Sequence, residues 1–548
     1  MSLSFIRRNP YGALATLSLT GIAGSSYYYL THREQIALAN QTFQIPVRRK
    51  DPRTGTSRTV MQKLPVIPPD VAEHILNQNI SSRSFDKDGV RWNWHTAVVA
   101  SNHPIEDAHT SAVHGDWMFF GVFDGHSGNA TSLTLEKGLI NTVKSELSEN
   151  GIDLDEEKDK KEQINKSGTG HTSSSFIQAW KNSNKPTEPF TTPAISISHA
   201  IRSAFKNLDD TLLDVPIRLM DTVSSSGASS QPASDFDSPL RTNKSARAFV
   251  EAALNGSCAL LAVLDTYRRN LYVACTGDSR AVAGIWDAKR RSWSVDVLSD
   301  DQTGLNPDEV ARVQSEHPED EKDTVIKRGR VLGGLQPTRA FGDARYKWGK
   351  EIQDRISRMF YSETEPLPRP PSIHLKTPPY VTAEPVVTIR EDYLPGGKDT
   401  GSKKMRFLIL ATDGLWDVMS SEEACALVAG HLSGLRGRIN KRDLPEKLGG
   451  KITVESGGVT KSGETVQTEN GREEEKGRWT FSEADEGNIA KHLIRNALGG
   501  ESRKVREMLS IPSPLSRNFR DDISVIVVWW DENHVMATDG EERTKAKL

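Results

Sequence analysis

WMFFGVFDGH, Trp117 to His126, runs an unbroken apolar stretch directly into a carboxylate and a histidine. A run this short, rich in aromatic and β-branched side chains, reads as a strand buried on both faces. The same design recurs along the chain. Leu271 to Gly277 leads into Asp278, and Arg406 to Thr412 leads into the segment Asp413 to Asp417. Near the end the order inverts, and Asp521 and Asp522 stand just before the apolar run Ile523 to Trp530. An ionised carboxylate at the mouth of a buried strand is costly unless a cation or hydrogen-bond donors neutralise it. Several converging there point to bound metal.

The acidic set is Glu106 and Asp107, in NHPIED (Asn102 to Asp107), with Asp124, Asp278, Asp413, Asp417 and Asp521. All are hard oxygen donors, which suit magnesium or manganese rather than zinc. Gly125 has no side chain, so its carbonyl is able to approach an ion closely. A dimetal site of this kind suits phosphate-ester hydrolysis, which needs accelerations of up to roughly 10^21-fold. General acid catalysis supplies only about 10^2 to 10^4 of that. The burden therefore falls on metal ions that ready a water and clamp the charge developing in an in-line displacement. His126, beside Asp124, is placed to protonate the leaving oxygen; the alternative is a structural histidine. No cysteine stands in a phosphate-cradling loop and there is no P-loop.

Of 548 residues, 36% are hydrophobic and 26% charged, which fits a globular protein with polar insertions. A net charge of −3 gives no support to a nucleic-acid-binding surface. The three cysteines, Cys258, Cys275 and Cys425, make neither a disulfide framework nor a zinc site.

Both ends read as addresses. Residues 1–40 have the composition of a mitochondrial presequence, with Arg7, Arg8 and Arg33 and no acid before Glu34. Within them Tyr11 to Leu30 is long enough to span a bilayer, although serines, threonines and glycines dilute its apolarity. The tail, 532–548, ends in Ala546-Lys547-Leu548, a variant of the peroxisomal Ser-Lys-Leu terminus. Dual addressing, to the mitochondrion and to a second peroxisomal pool, is the expectation. Residues 41–90 read as a linker and N-terminal extension, and 91–531 as the catalytic body. That body is interrupted by polar insertions at 149–193, 224–245, 355–377 and 434–482. Helical patterns run near 195–213, 245–254, 307–316, 421–432 and 488–497. Ser420 and Glu423 mark a helix start. Strand runs and separated helices mixed in this way predict an α+β fold.

FDGHSG (Phe123 to Gly128), TGDSRAV (Thr276 to Val282), ATDGLWD (Ala411 to Asp417) and RDDISV (Arg520 to Val525) resemble, in this order, the signatures of type-2C metal-dependent serine/threonine protein phosphatases. NHPIED, LGGLQPTRAFGD (Leu332 to Asp343) and PPYVTAEP (Pro378 to Pro385) resemble the mitochondrial pyruvate dehydrogenase phosphatase branch of that family. The resemblance implies a four-layer α-β-β-α sandwich with a dimetal site at the edge of two central antiparallel sheets. It implies that Asp124 bridges two magnesium or manganese ions and that the Gly125 carbonyl, Asp413 and Asp521 complete direct ligation. Glu106 and Asp107 would hold metal-bound waters. Asp278, with Asp413, would take a third, weaker ion, with Asp417 close by, and His126 would be the general acid. The implied partner is a phosphoserine or phosphothreonine protein, with the pyruvate dehydrogenase complex as candidate, in the matrix or, if residues 11–30 stay as an anchor, facing the intermembrane space.

Two departures bear on mechanism. Asn102 stands where many family members have the arginine that grips the substrate phosphate, so it is the phosphate-binding candidate here without bringing charge. Asp522 stands where many have asparagine. The rival readings are a catalytically silent phosphatase-like binding module, which would usually have lost carboxylates that this chain keeps, and a metal-dependent nuclease, which wants a basic groove.

Overall fold

The run Trp117–Phe123 is buried at every position, and its alternation shows why. Trp117, Phe119 and Phe123 pack into a core shared with helices, whereas Met118, Phe120 and Val122 pack into a second core shared with another sheet. A strand covered on both faces has no need of a polar face, so it reads as a continuous apolar run. Each such buried aromatic or aliphatic side chain contributes about 1.5–3 kcal/mol.

The structure, a computed structural model, describes residues 41–50, 56–152, 154, 192–225, 238–362, 367, 369–396, 401–456, 460 and 477–532. The chain forms two compact units, residues 1–75 with 501–512, and residues 76–500 with 513–548. The first contains an antiparallel hairpin of β1 (Thr42–Lys50) and β2 (Ser57–Pro65), and the helix Ser502–Leu509. Residues 41–90, read as a linker and N-terminal extension, thus carry an ordered ladder from Thr42 onward and a helix, Pro69–Gln78. Ile45 and Leu64 are buried and their strand neighbours exposed, so a period-two pattern had been hidden among the cations.

The second unit holds two large sheets beside three small ladders, and the strands below are those of the large ones. In chain order its strands are β3 (Ile80–Lys87), β4 (Val90–Val99), β5 (Ala108–His114), β6 (Trp117–Phe123), β7 (Ala259–Asp265), β8 (Asn270–Thr276), β9 (Arg280–Asp287), β10 (Ser292–Val297), β11 (Val386–Arg390), β12 (Lys403–Ala411), β13 (Thr453–Ser456) and β14 (Ile523–Glu532). One sheet has the order β11-β8-β7-β6-β5 and the other β13-β10-β9-β12-β14-β4-β3. Their facing sides share one core, from Phe120, Leu260 and Val273 across to Ala283, Leu408 and Ile526. Helices α1 (Ala130–Glu149) and α2 (Pro193–Ser225) cover the outer face of the five-stranded sheet. Helices α3 (Ser421–Leu432) and α4 (Ile489–Ala497) pack on strands of the seven-stranded sheet. The result is the expected α+β arrangement of helices outside two central sheets.

Several details differ from expectation. Both sheets are antiparallel except at one edge, where β13 pairs in parallel with β10. That strand comes from the stretch 434–482 expected as a polar insertion, which also supplies the ladder of Gly437–Asn440 with Arg478–Phe481. Likewise the helix Lys350–Phe360 runs into the insertion expected at 355–377, because Ile356, Met359 and Phe360 bury one face of it. No described helix is long and apolar enough to cross a membrane. The candidate span 11–30 and the Ala546-Lys547-Leu548 terminus lie outside the described residues, as does most of 149–193.

Candidate functional site

Three strands end side by side. Asp124 follows β6, Asp278 follows β8 by one glycine, and Asp413 follows β12 by one threonine. Each offers one carboxylate oxygen, and these oxygens lie within 4.8 Å of one another. Burial, then the facing Asp413, Asp107 and Asp278, push the Asp124 carboxyl well above its usual range. Asp107 is raised in the same way, by burial first and then by Asp522. Like charges gathered in a buried pocket are stable only when a cation joins them, and an all-oxygen donor set fits magnesium or manganese.

The turns around the triad leave no slack. A Cβ on Gly125 would stand 2.1 Å from the Glu106 carbonyl oxygen, so only glycine lets these segments meet. Gly277 has a φ of +109°, and a Cβ there would strike Cys258 Sγ. That thiol lies 3.2 Å from Asp278 Oδ1, to which it donates. Gln302 clamps the same turn, accepting from Gly277 N at 2.8 Å and donating to the Cys275 carbonyl at 3.1 Å. Arg280 reaches away from its own turn to pair with Asp301 at 2.7 Å, both 1% exposed, and lies over the Trp416 ring. The guanidinium thus ties the Asp278 turn to the short helix Asp413–Trp416. Asp417 caps that helix from an exposed position, its N–H donating to the Asp413 carbonyl.

The loop 101–107 is organised by Asp522. Oδ1 accepts from the backbone N–H groups of Ser101 and Asn102, and Oδ2 from Glu106 N and Asn102 Nδ2. Asn102 Nδ2 also donates to Glu106 Oε2 at 2.9 Å. The amide of the phosphate-binding candidate is therefore spent on two carboxylates. Asp522 thus adds its charge beside Asp107 and is also the staple of this loop. Glu106 Oε1 accepts from Gly128 N, and Asp107 Oδ2 from the Thr412 hydroxyl at 2.9 Å.

Asp521 stands outside the triad. It pairs with Arg517 and accepts from Asp522 N. Asp278, implied only for a weaker third ion, is inside. Arg517 satisfies the Asp521 carboxylate locally, four residues away, whereas Asp278 is delivered by a buried strand. Ser516, beside Arg517, donates from its hydroxyl to the Ser101 carbonyl, which ties the backbone before Arg517 to the loop 101–107.

His126 lies beside the triad with Nε2 2.6 Å from Asp343 Oδ2. Burial disfavours the imidazolium, but Asp343, by charge and hydrogen bond, with Asp278 and Glu106 behind it, outweighs burial and raises the His126 pKa. Asp343 adopts a left-handed conformation, φ 49°, with its N–H bonded to the Asn255 carbonyl. A Cβ on Gly256 would fall 2.0 Å from His126 Nε2 and 2.3 Å from Asp343 Oδ2, so that glycine makes room for the pair. Asp343, Gly256 and Cys258 were not singled out as site residues. The one available signal was that Asp343 closes the TRAFGD stretch.

The protein phosphatase 2C family profile matches residues 194–441. The chain is 32% identical over 530 residues to a protein phosphatase 2C homolog of Schizosaccharomyces pombe, covering 94% of this chain and 98% of that protein. It is 30% identical over 544 residues to the mitochondrial pyruvate dehydrogenase (acetyl-transferring) phosphatase 1 of Saccharomyces cerevisiae, covering 95% and 82%. With the human mitochondrial pyruvate dehydrogenase (acetyl-transferring) phosphatase 2 the figures are 29% over 463 residues, 80% and 78%.

Proposed function

The chain belongs to the protein phosphatase 2C family and is a protein serine/threonine phosphatase, and from that premise we propose that it acts on a mitochondrial phosphoprotein by metal-assisted attack of water. The observation that carries the mechanism is the convergence of Asp124, Asp278 and Asp413 beside the His126–Asp343 pair. Ions held by these carboxylates and the Gly125 carbonyl would lower the pKa of water and offset the charge of the phosphoryl group.

The chain's own residues do the rest. Glu106 and Asp107 hold water at the cluster while Asp522 fixes the loop that carries them. Asp343 engages Nε2 of His126, which leaves Nδ1 to carry the proton given to the departing serine or threonine oxygen. Asp343 thereby orients the ring and stabilises its charged form, the part a buried aspartate plays behind a catalytic histidine elsewhere. With the Asn102 amide held by two carboxylates, we assign the substrate phosphate to Arg517, whose pairing with Asp521 the phosphate would have to replace.

Relatives at about 30% identity are named as mitochondrial pyruvate dehydrogenase phosphatases, which supports that complex as substrate and the mitochondrion as location. Asp413→Ala removes one of the three converging carboxylates. Turnover of a phosphothreonine peptide derived from pyruvate dehydrogenase, measured with manganese, is expected to fall to the chelator-treated baseline. Substantial residual turnover at saturating manganese would refute the ligand assignment.

A further inference from the structure

We propose that the outer half of the β1–β2 hairpin is a docking surface for an anionic phospholipid bilayer. Residues 42–65 contain Arg48, Arg49, Lys50, Arg53, Arg58 and Lys63 against the single acid Asp51, in a chain whose net charge is −3. Only the base of the ribbon is buried, through Ile45 and Leu64. Beyond it Arg48, Arg49, Lys50, Ser57, Arg58 and Thr59 are all exposed, so neither face of these three outer rungs is covered.

The register makes this arrangement costly by itself. Arg49 lies directly opposite Arg58, flanked by the rungs Arg48–Thr59 and Lys50–Ser57. Four cations thus crowd about 7 Å of ribbon, and like charges facing across a ladder destabilise it. Among the described residues none of Arg48, Arg49, Lys50, Arg58 and Lys63 is within ion-pair distance of a carboxylate; Arg49 reaches only the Gln62 side-chain oxygen, at 3.4 Å. The unit's described acids, Asp70, Glu73, Glu501 and Glu507, lie off the hairpin. Among the described residues no carboxylate balances these cations, and an anionic surface would supply that counter-charge.

The neighbouring rung favours a lipid surface over a soluble polyanion. Pro46 pairs with Met61, both exposed, Met61 at 55%. Strand alternation puts this apolar rung on the same face as Arg48, Lys50 and Lys63. Cations on either side of an exposed thioether match the headgroup layer and the acyl boundary beneath it. A phosphate-rich soluble ligand has no use for Met61.

The test is sedimentation of the full-length chain with vesicles of neutral phosphatidylcholine, or of phosphatidylcholine with about 30% phosphatidylglycerol, at low and high salt. The stretch 11–30 contributes to both vesicle types and Arg7, Arg8 and Arg33 to the anionic preference, so the comparison of parent with hairpin variant isolates the hairpin. Expected is at least about tenfold stronger binding to the anionic vesicles, lost at high salt, and abolished in the quadruple variant Arg48→Gln, Arg49→Gln, Lys50→Gln, Arg58→Gln. That variant should hydrolyse a soluble phosphopeptide as before. Met61→Ser should weaken anionic vesicle binding several-fold without changing retention on immobilised polyphosphate. Equal binding to both vesicles, or a quadruple variant that keeps the preference, overturns the proposal. So does a quadruple variant that merely aggregates, which would mean the cations only guard the open strand edges. Loss of binding in the quadruple variant with no effect of Met61→Ser also overturns it, in favour of a free polyanion.

Discussion

His126 and Asp343 lie 217 residues apart in the chain and 2.6 Å apart in space. Asp343→Asn keeps the shape of that contact but removes the charge that raises the His126 pKa. Since the protonated ring must give up its proton, the alkaline limb of the kcat–pH profile should move to lower pH. An unmoved limb would mean that the pair is only structural. Arg517→Ala should raise KM for a phosphopeptide about tenfold with kcat little changed, while manganese affinity, read by intrinsic tryptophan fluorescence, does not weaken. A fall in kcat at unchanged KM would assign the phosphate grip elsewhere. At this scale the triad was legible because each aspartate directly follows an apolar run, so its neighbours in sequence announce its position. Asp343, Gly256 and the Asn102–Asp522 bond were not. Their roles exist only once distant turns meet, and a left-handed aspartate before a short helix looks like any other turn residue.

Helix α3 was legible to the residue, because Ser420 and Glu423 form the reciprocal capping box that their spacing announces. Helix α1 escaped notice. Its buried stripe, Leu135, Leu139, Val143 and Leu147, is helical in period, but Thr131 and Ser132 are buried at its start and mask the boundary. Behind α3 and α4 lies an acid-labile seam. The rings of His431 and His492 are 5.0 Å apart, and His95 on β4 accepts from Ile489 N, the first residue of α4. The groups facing them are Asp485, Glu486, Arg436 and Arg495. Burial, then His431, lowers the His95 pKa to about 4, and burial, then His431, holds His492 well below its ordinary value. These histidines are neutral in the fold and protonate first in the unfolded chain. Their contribution is therefore complete above about pH 6.5 and is lost as pH falls below it. For His95 alone the loss by pH 4 is on the order of 3 kcal/mol. His431→Asn removes the repelling neighbour, so the drop in Tm between pH 7 and pH 5 should be smaller than in the parent. An equal drop would place the sensitivity outside this seam.

At the scale of the whole molecule, repulsion among the clustered carboxylates opposes folding until cations arrive. Manganese at about 100 times its Kd should add about 2.7 kcal/mol and raise Tm by several degrees, an increment that Asp413→Ala should lose. The layered body could be read from the sequence because strands covered on both faces carry unbroken apolar runs. The two-stranded ribbon could not, since most of its surface faces water and its few buried positions sit among arginines. The edge strand β13 was hidden for a similar reason: four residues with a lysine before them and a serine at the end leave little pattern to see. Yet β13 pins one end of the chain segment 457–476 to the sheet border, and Gly477, bonded to Lys441 N, pins the other. Between two fixed ends, each doubling of added chain costs only about 0.6 kcal/mol in loop closure. An affinity peptide or fluorescent reporter spliced between these two moorings is expected to leave phosphopeptide turnover unchanged, and a loss of turnover would refute that.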